Sequence, residues 1–180
     1  MRIEKTPIAD LLVVEPDVFG DDRGAFFESY NEEKFAALGL PNVWRQDSHS
    51  ESVRGVLRGL HFQLPPKPMT KLVRCAKGRV WNVAVDLRKE APTYKQSFGI
   101  ELSAENRKML LIPDGCANGF YCLDDAIYLY KISNMFVKEL DANIAWNDAE
   151  LNVQWPLVGE PILSARDAAA PKLADLNLPF

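Results

Sequence analysis

The sequence predicts an all-β fold, and three observations lead there. Short apolar stretches recur between turn signals at a spacing of roughly ten residues. The clearest of them has a period of two, with Trp81, Val83, Val85 and Leu87 alternating with Val80, Asn82, Ala84 and Asp86. Long helical patterns do not alternate with these stretches, which argues against a parallel α/β sheet and leaves a sandwich or a barrel.

Each element has a local reason. Ile8 to Val18 reads as a strand region, and Gly20-Asp21-Asp22-Arg23-Gly24 as the turn that ends it. Ala25 to Tyr30 resumes an extended pattern. At Asn31 the period changes: Asn31 can cap, Glu32 and Glu33 suit a first helical turn, Phe35 and Leu38 share a face, and Gly39 with Pro41 stops the helix. Val53 to Phe62 reads as a strand, as does Lys71 to Leu87, broken at a hairpin corner at Lys77-Gly78. Ser97 to Leu102, Met109 to Ile112, Ala117 to Cys122 and Ala126 to Ile132 continue the series, with a short helix expected in Arg166 to Ala170.

Composition bounds the rest. Among 180 residues 47% are apolar and 26% charged, enough to build a core and keep it dissolved, so a single domain over 1–180 is expected. Lys and Arg total 21 against 25 acidic residues, a net charge of −4 with no basic block. That balance excludes nucleic-acid and membrane-surface partners and leaves room for a local positive pocket. Apolar runs fall far short of the roughly 20 residues that span a bilayer. The stretch Met1 to Asp10 lacks the apolar core of a secretory signal. Cys75, Cys116 and Cys122 form no C-x-x-C pair, so a reducing, cytoplasmic setting is expected.

Two histidines, His49 and His61, limit the chemistry. In Leu57-Arg58-Gly59-Leu60-His61-Phe62-Gln63, strand alternation places Gly59, His61 and Gln63 on one face, and the small Gly59 leaves room beside the imidazole. An imidazole on such a face is suited to be a base, since its reference pKa is about 6.5. Gln63 stands where the second histidine of a His-x-His ligand pair would be, so no metal is expected. Arg23, Arg58, Lys71, Arg74 and Arg88 are candidate phosphate ligands or solvated strand edges. Phosphate-loop, dinucleotide and nucleophile-elbow motifs are absent. Residue types and spacing alone lead to a β-domain with a pocket at His61, and no further.

Longer segments carry a resemblance. They are Val18 to Gly24 with Phe27-Glu28-Ser29-Tyr30, Leu57 to Gln63, Lys71 to Arg74, Val83 to Arg88, Leu102 to Asn106, Ile112-Pro113, Leu129-Tyr130-Lys131, Trp146-Asn147-Asp148 and Leu163 to Pro171. In that order the chain resembles the dTDP-4-dehydrorhamnose 3,5-epimerase family. The resemblance implies a cupin-like β-barrel (jelly roll) with short peripheral helices. It also implies a homodimer, no metal or organic cofactor, and a dTDP-linked 4-keto-6-deoxy sugar as substrate. Family roles fall on His61 as base, Asp167 as its orienting partner, Tyr130 as acid on the opposite ring face and Lys71 as the cation near the carbonyl. Arg23, Glu28, Gln46, Arg58, Asn118 and Trp146 fall on substrate-binding positions.

The chain departs from the family pattern at Asn118, where the family carries histidine, at Asn82, where it carries aspartate, and at Cys116 and Met135. These departures keep a 3- or 5-monoepimerase on a related sugar as an alternative. A non-catalytic nucleotide-sugar-binding barrel and an isomerase that moves the ketone are more distant ones.

Overall fold

The computed structural model describes residues 1–180. In chain order the strands are β1 (Arg2–Lys5), β2 (Leu12–Glu15), β3 (Val18–Asp21), β4 (Gly24–Phe27), β5 (Gln46–Ser52), β6 (Leu57–Gln63), β7 (Lys71–Lys77), β8 (Arg79–Asp86), β9 (Ser97–Ser103), β10 (Met109–Ile112), β11 (Cys116–Cys122), β12 (Ala126–Ile132) and β13 (Asp141–Asn143). Helix α1 (Glu32–Ala37) precedes β5, and α2 (Ala165–Ala168) lies near the end.

The strands form a six-stranded sheet in the order β1-β2-β10-β7-β12-β5, a five-stranded sheet in the order β13-β6-β11-β8-β9, and a separate β3-β4 hairpin. The all-β expectation holds, but the cupin-like barrel is corrected: neither sheet closes on itself. β1 and β5 end the larger sheet, and β13 and β9 end the smaller. Alternation along a strand reports which face is buried, which is the same in a sandwich and a barrel. Closure depends on whether the outermost strands pair, and no local pattern encodes that.

Three apolar layers hold this arrangement. Val13, Val73, Val80, Ala84, Leu110, Phe120 and Tyr128 come from both sheets and fill the space between them, together with all three cysteines. Phe120 of β11 stacks on Tyr128 of β12 at 4.1 Å between ring centroids, joining the sheets directly. On the outer side of the six-stranded sheet, Phe35 of α1 packs with Val14, Leu72, Met109 and Leu111. Outside the five-stranded sheet, Leu151, Leu173 and Leu178 of the C-terminal stretch cover Leu60, Phe62, Val83 and Val85. The alternation in β8 therefore separates two buried faces. Val80 and Ala84 look into the inter-sheet core, and Val83, Val85 and Leu87 look out under the C-terminal stretch.

Local expectations meet mixed outcomes. Asn31 caps α1 by accepting from the Lys34 backbone N at 3.1 Å, as its position predicts. Leu38 stays 38% exposed, and Leu40, beyond the stop, is buried in its place. The strand expected from Val53 begins at Leu57, because Gly55 turns the chain at φ +86°. β5 and β13 were not expected: Gln46 to Ser52 and Asp141 to Asn143 lack an apolar alternation, and β5 lies at a sheet edge where one face meets water. The second helix occupies Ala165–Ala168, slightly ahead of the expected Arg166 to Ala170, because Ser164 caps it through the Asp167 backbone N at 3.0 Å. Leu11, Val13 and Val14 are buried, and β2 runs between β1 and β10.

Two glycines are required by geometry. Gly78, at the Lys77-Gly78 corner, has φ +69°, and a Cβ there would lie 2.3 Å from the Asp125 carbonyl oxygen. Gly59 has φ +143°, and its Cβ would lie 2.6 Å from the Gly119 Cα, inside the β6–β11 ladder. Both the conformation and the contact exclude a side chain. Gly59→Ala is expected to destabilise the fold by at least about 2 kcal/mol, because strain and overlap add at one site. Urea unfolding checks it: the midpoint should fall with the m value unchanged.

Candidate active site

The Gly59 contact also sets which side chains enter the site. Along the β6–β11 ladder Asn118 lies opposite His61 and Phe120 opposite Arg58, so β6 contains one extra residue over this stretch. This is a β-bulge, and it returns Arg58 and His61 to the same face. Strict alternation had placed Gly59 beside His61. Gly59 instead abuts the Gly119 backbone, and the space beside the imidazole comes from the cavity between the sheets.

That cavity has a volume of about 380 Å³. Its two walls belong to different sheets: β6 and β11 supply Arg58, His61 and Asn118, and β5, β7 and β12 supply Gln46, Lys71 and Tyr130. Phe62, Met69, Ile132 and Phe136 give it apolar surface. A concavity of this size with a few polar groups is the usual form of a small-ligand site.

Asp167 lies behind His61 at the start of α2, with its Oδ1 2.5 Å from His61 Nε2. Its other oxygen accepts from Ser164 Oγ at 2.9 Å. Burial alone would raise the Asp167 carboxyl. The hydrogen bond and charge of His61, with help from Ser164 and Arg166, outweigh it and hold the group below its ordinary 3.8. An anion so placed fixes the ring, binds the proton on Nε2 and supports positive charge on the imidazole. Nδ1 is then the nitrogen left for proton exchange.

Lys71 is half-buried and forms no ion pair; its Nζ donates to the His61 carbonyl oxygen at 3.4 Å. Burial pulls its pKa down to about 8, against the opposing charge of Asp141. A cation with no carboxylate partner is free to act on a ligand oxygen.

Asn118 lies in a buried polar cluster. Its Nδ2 donates to Asn82 Oδ1 at 3.1 Å and to the Val83 carbonyl at 3.0 Å, and Tyr128 Oη donates to the same Asn82 oxygen at 2.5 Å. Asn82 Nδ2 is buried without a partner.

Other expected residues lie elsewhere. Arg23 is at the tip of the β3–β4 hairpin, with its Nε donating to Asp21 at 3.1 Å. Glu28 accepts from Asn31 Nδ2 at 3.0 Å and pairs with Lys34. Trp146 lines a separate cleft, and its carbonyl accepts from Trp155 Nε1 at 2.9 Å. Within this chain these three residues stand apart from the His61 cavity. Arg88 is committed to Asp86, with Nε 2.8 Å from Oδ1. Arg74 lines a cavity on the outer side of the six-stranded sheet, with Leu72 and Met109. Gln63 bridges two loops: its Nε2 donates to the Lys67 and Met135 carbonyls, and its Oε1 accepts from the Val137 backbone N at 2.8 Å.

Sequence reasoning missed Ser50, Asp141, Arg166 and Ser164. Ser164 was legible as the helix cap three residues before Asp167. Asp141, paired with Arg166 beside the cavity, carries no such signal.

The family model for dTDP-4-dehydrorhamnose 3,5-epimerase matches residues 5–175. The chain belongs to the dTDP-4-dehydrorhamnose 3,5-epimerase family. A dTDP-4-dehydrorhamnose 3,5-epimerase of Salmonella typhimurium is 51% identical over 175 residues, covering 96% of each chain. Among solved structures, the Legionella pneumophila dTDP-6-deoxy-D-glucose-3,5-epimerase, in complex with dTDP-4-keto-L-rhamnose, superposes with a TM-score of 0.94. It is 39% identical and covers 98% of this chain and 94% of its own. A 3′-monoepimerase of Streptomyces bikiniensis in complex with dTDP-quinovose has a TM-score of 0.87 at 31% identity, covering 94% of this chain and 86% of its own. In this epimerase-family chain the inter-sheet cavity holds Arg58, His61, Lys71 and Tyr130, with Asp167 behind them.

The shifted pKa of Lys71 has a consequence for stability. The unfolded chain keeps this proton up to about pH 10.5 and the folded chain loses it near 8. Folding is therefore penalised by the buried charge below pH 8, and the penalty disappears as pH rises from 8 to 10.5. Compared with Lys71→Met, the wild-type chain should gain stability over that window, as read from urea midpoints at successive pH values.

Proposed function

We propose that this chain epimerises dTDP-4-dehydro-6-deoxy-D-glucose at C3 and C5 to dTDP-4-dehydro-L-rhamnose. One observation carries the reading: a histidine backed by a carboxylate and a tyrosine stand on opposite walls of one cavity, with an unpaired lysine in it. The C3 and C5 protons are both α to the C4 ketone, so removing either leaves an enolate with its charge on the C4 oxygen. His61 Nδ1 takes the proton, and Asp167 stabilises the imidazolium formed. Lys71 stabilises the developing oxyanion. Tyr130 delivers its phenolic proton to the opposite face of the same carbon, which inverts it. Exchange with water then returns the proton to Tyr130 and removes one from His61. These transfers use no cofactor.

The test is incubation of the substrate in deuterated water with ring-proton NMR. Deuterium at both C3 and C5, with formation of the L-lyxo product, is expected; exchange at one carbon alone would make the chain a monoepimerase. His61→Ala should lower turnover at least about 10²-fold, the usual worth of a positioned proton-transfer group. Asp167→Ala should act through His61, so the double variant loses less than the product of the two separate losses.

A homodimer is the assembly we propose. The β3–β4 hairpin belongs to neither sheet and leaves Phe19 65% and Phe26 67% exposed, an apolar surface suited to cover by a second copy. The first strand, β1 with Ile3, is one of the two open edges of the larger sheet, and β2 with Leu12 to Val14 lies inside it. Arg23 and Glu28 lie at this hairpin and just after it, so the contact with nucleotide expected of them is assigned to the cavity of the second copy. Sedimentation equilibrium at micromolar concentration should give about twice the chain mass of 20.3 kDa; a monomer throughout that range would contradict the assembly.

A further inference from the structure

Asn118 lies directly opposite His61 in the β6–β11 ladder and lines the same cavity. A side-chain amide can present either a donor or an acceptor, and its surroundings decide which. The Val83 carbonyl, 3.0 Å from Asn118 Nδ2, decides it here, because a backbone carbonyl can only accept. Nδ2 must therefore point inward. Asn82 agrees: its Oδ1 receives both Asn118 Nδ2 and the single hydroxyl proton of Tyr128. The arrangement leaves Asn82 Nδ2 buried without a partner, so the orientation is held even at the expense of one orphaned donor. Asn118 Oδ1 receives no hydrogen from any protein group, and it is not among the buried polar atoms without a partner. It is an acceptor fixed on the cavity wall beside the base.

The opposite wall has the complementary character. Lys71, which only donates while charged, attracts the ketone and its enolate oxygen; a fixed carbonyl oxygen repels both. The group that meets Asn118 must therefore bring a proton to share and must lie close to the carbon attacked by His61. Of the two carbons that the proposed reaction inverts, C5 bears a methyl group and the ring oxygen, and only C3 bears a hydroxyl.

We propose that Asn118 is a specificity-determining residue whose side-chain carbonyl accepts a hydrogen bond from the sugar C3 hydroxyl, with Asn82 as the positioning residue that locks it. The inference rests on the epimerase reading. Together Lys71 and Asn118 set the ring in register, with the ketone toward the cation and the neighbouring hydroxyl toward the amide oxygen. A sugar lacking that hydroxyl leaves the amide oxygen without a donor where the bound ring displaces water, and such sites reject the lacking analogue.

The experiment compares deuterium exchange at C5, a position all three sugars possess, for the parent dTDP-4-keto-6-deoxy sugar, its 3-deoxy analogue and its 2-deoxy analogue. In the wild-type chain kcat/KM for the 3-deoxy sugar should be about 10- to 100-fold below the parent, and the 2-deoxy sugar should stay within about threefold. Asn118→Ala should slow the parent and bring parent and 3-deoxy sugar within about threefold of each other. Asn82→Asp keeps an acceptor for both Tyr128 and Asn118, so discrimination should survive; Asn82→Leu leaves Nδ2 held by backbone carbonyls alone, so discrimination should fall part of the way. Because Asn82→Asp retains the shape of the cluster, it reports even if the other variants do not fold, and loss of discrimination in that folded variant would overturn the lock. Equal wild-type rates on parent and 3-deoxy sugars, or selective rejection of the 2-deoxy sugar, would overturn the contact. Absence of exchange on the parent sugar would overturn the epimerase reading itself, and this inference with it.

Discussion

The site depends on two glycine backbones meeting inside the five-stranded sheet. Where Gly59 approaches Gly119, a Cβ on either residue would meet backbone of the other strand at 3.1 Å or less, and β6 accommodates the approach with one extra residue. Without that residue, alternation would turn Arg58 and His61 to opposite faces. One would enter the cavity and the other would be buried under the C-terminal stretch, where a charged or polar ring has no partner. A packing constraint between two residues with no side chains thus decides which functional groups share a volume.

A second constraint acts over a longer range. His61 lies about a third of the way along the chain and Asp167 near its end, and they meet because Leu151, Leu173 and Leu178 pack on the outer side of the sheet that contains His61. The base is therefore assembled only when the last segment has docked. Its orientation is then supported from behind by Ser164, which both caps α2 and bonds the carboxylate. Stability and catalytic geometry draw on the same contacts at this point, since a loosened C-terminal stretch would free the imidazole ring.

Much of this was legible in the sequence, for physical reasons. β8 was readable because its face under the C-terminal stretch takes large apolar residues while its other face takes smaller or polar ones, so the alternation persists; α1 was readable because Asn31, the acidic first turn and Gly39 are local signals. β5 was invisible because Gln46 to Ser52 is polar on both faces, and its place in the sheet comes from pairing with β12 rather than from its own pattern. The same limit explains the barrel: pairing between strands distant in sequence decides closure. His61 stood out by its rarity and its polar strand face, while the bulge beside it, which depends on the partner strand, did not. Asp167 and Tyr130 came from resemblance alone, and Lys71 was legible only as one of five candidate phosphate ligands, since no spacing links residues that meet only across two sheets.

The three cysteines have a consequence of a different kind. Cys75, Cys116 and Cys122 are all unpaired and lie in the layer between the sheets, and burial pushes the Cys116 thiol up to about 12 and the Cys122 thiol up to about 11. Thiol reagents attack the thiolate, so in the closed sandwich these sulfurs are both unreachable and chemically silent. Separation of the sheets exposes them and restores ordinary acidity in the same event. The rate at which a thiol dye labels the native chain is thus a clock for how often the sandwich opens. Because the ligand cavity lies between the same two sheets, a bound nucleotide sugar that bridges its walls should slow that clock.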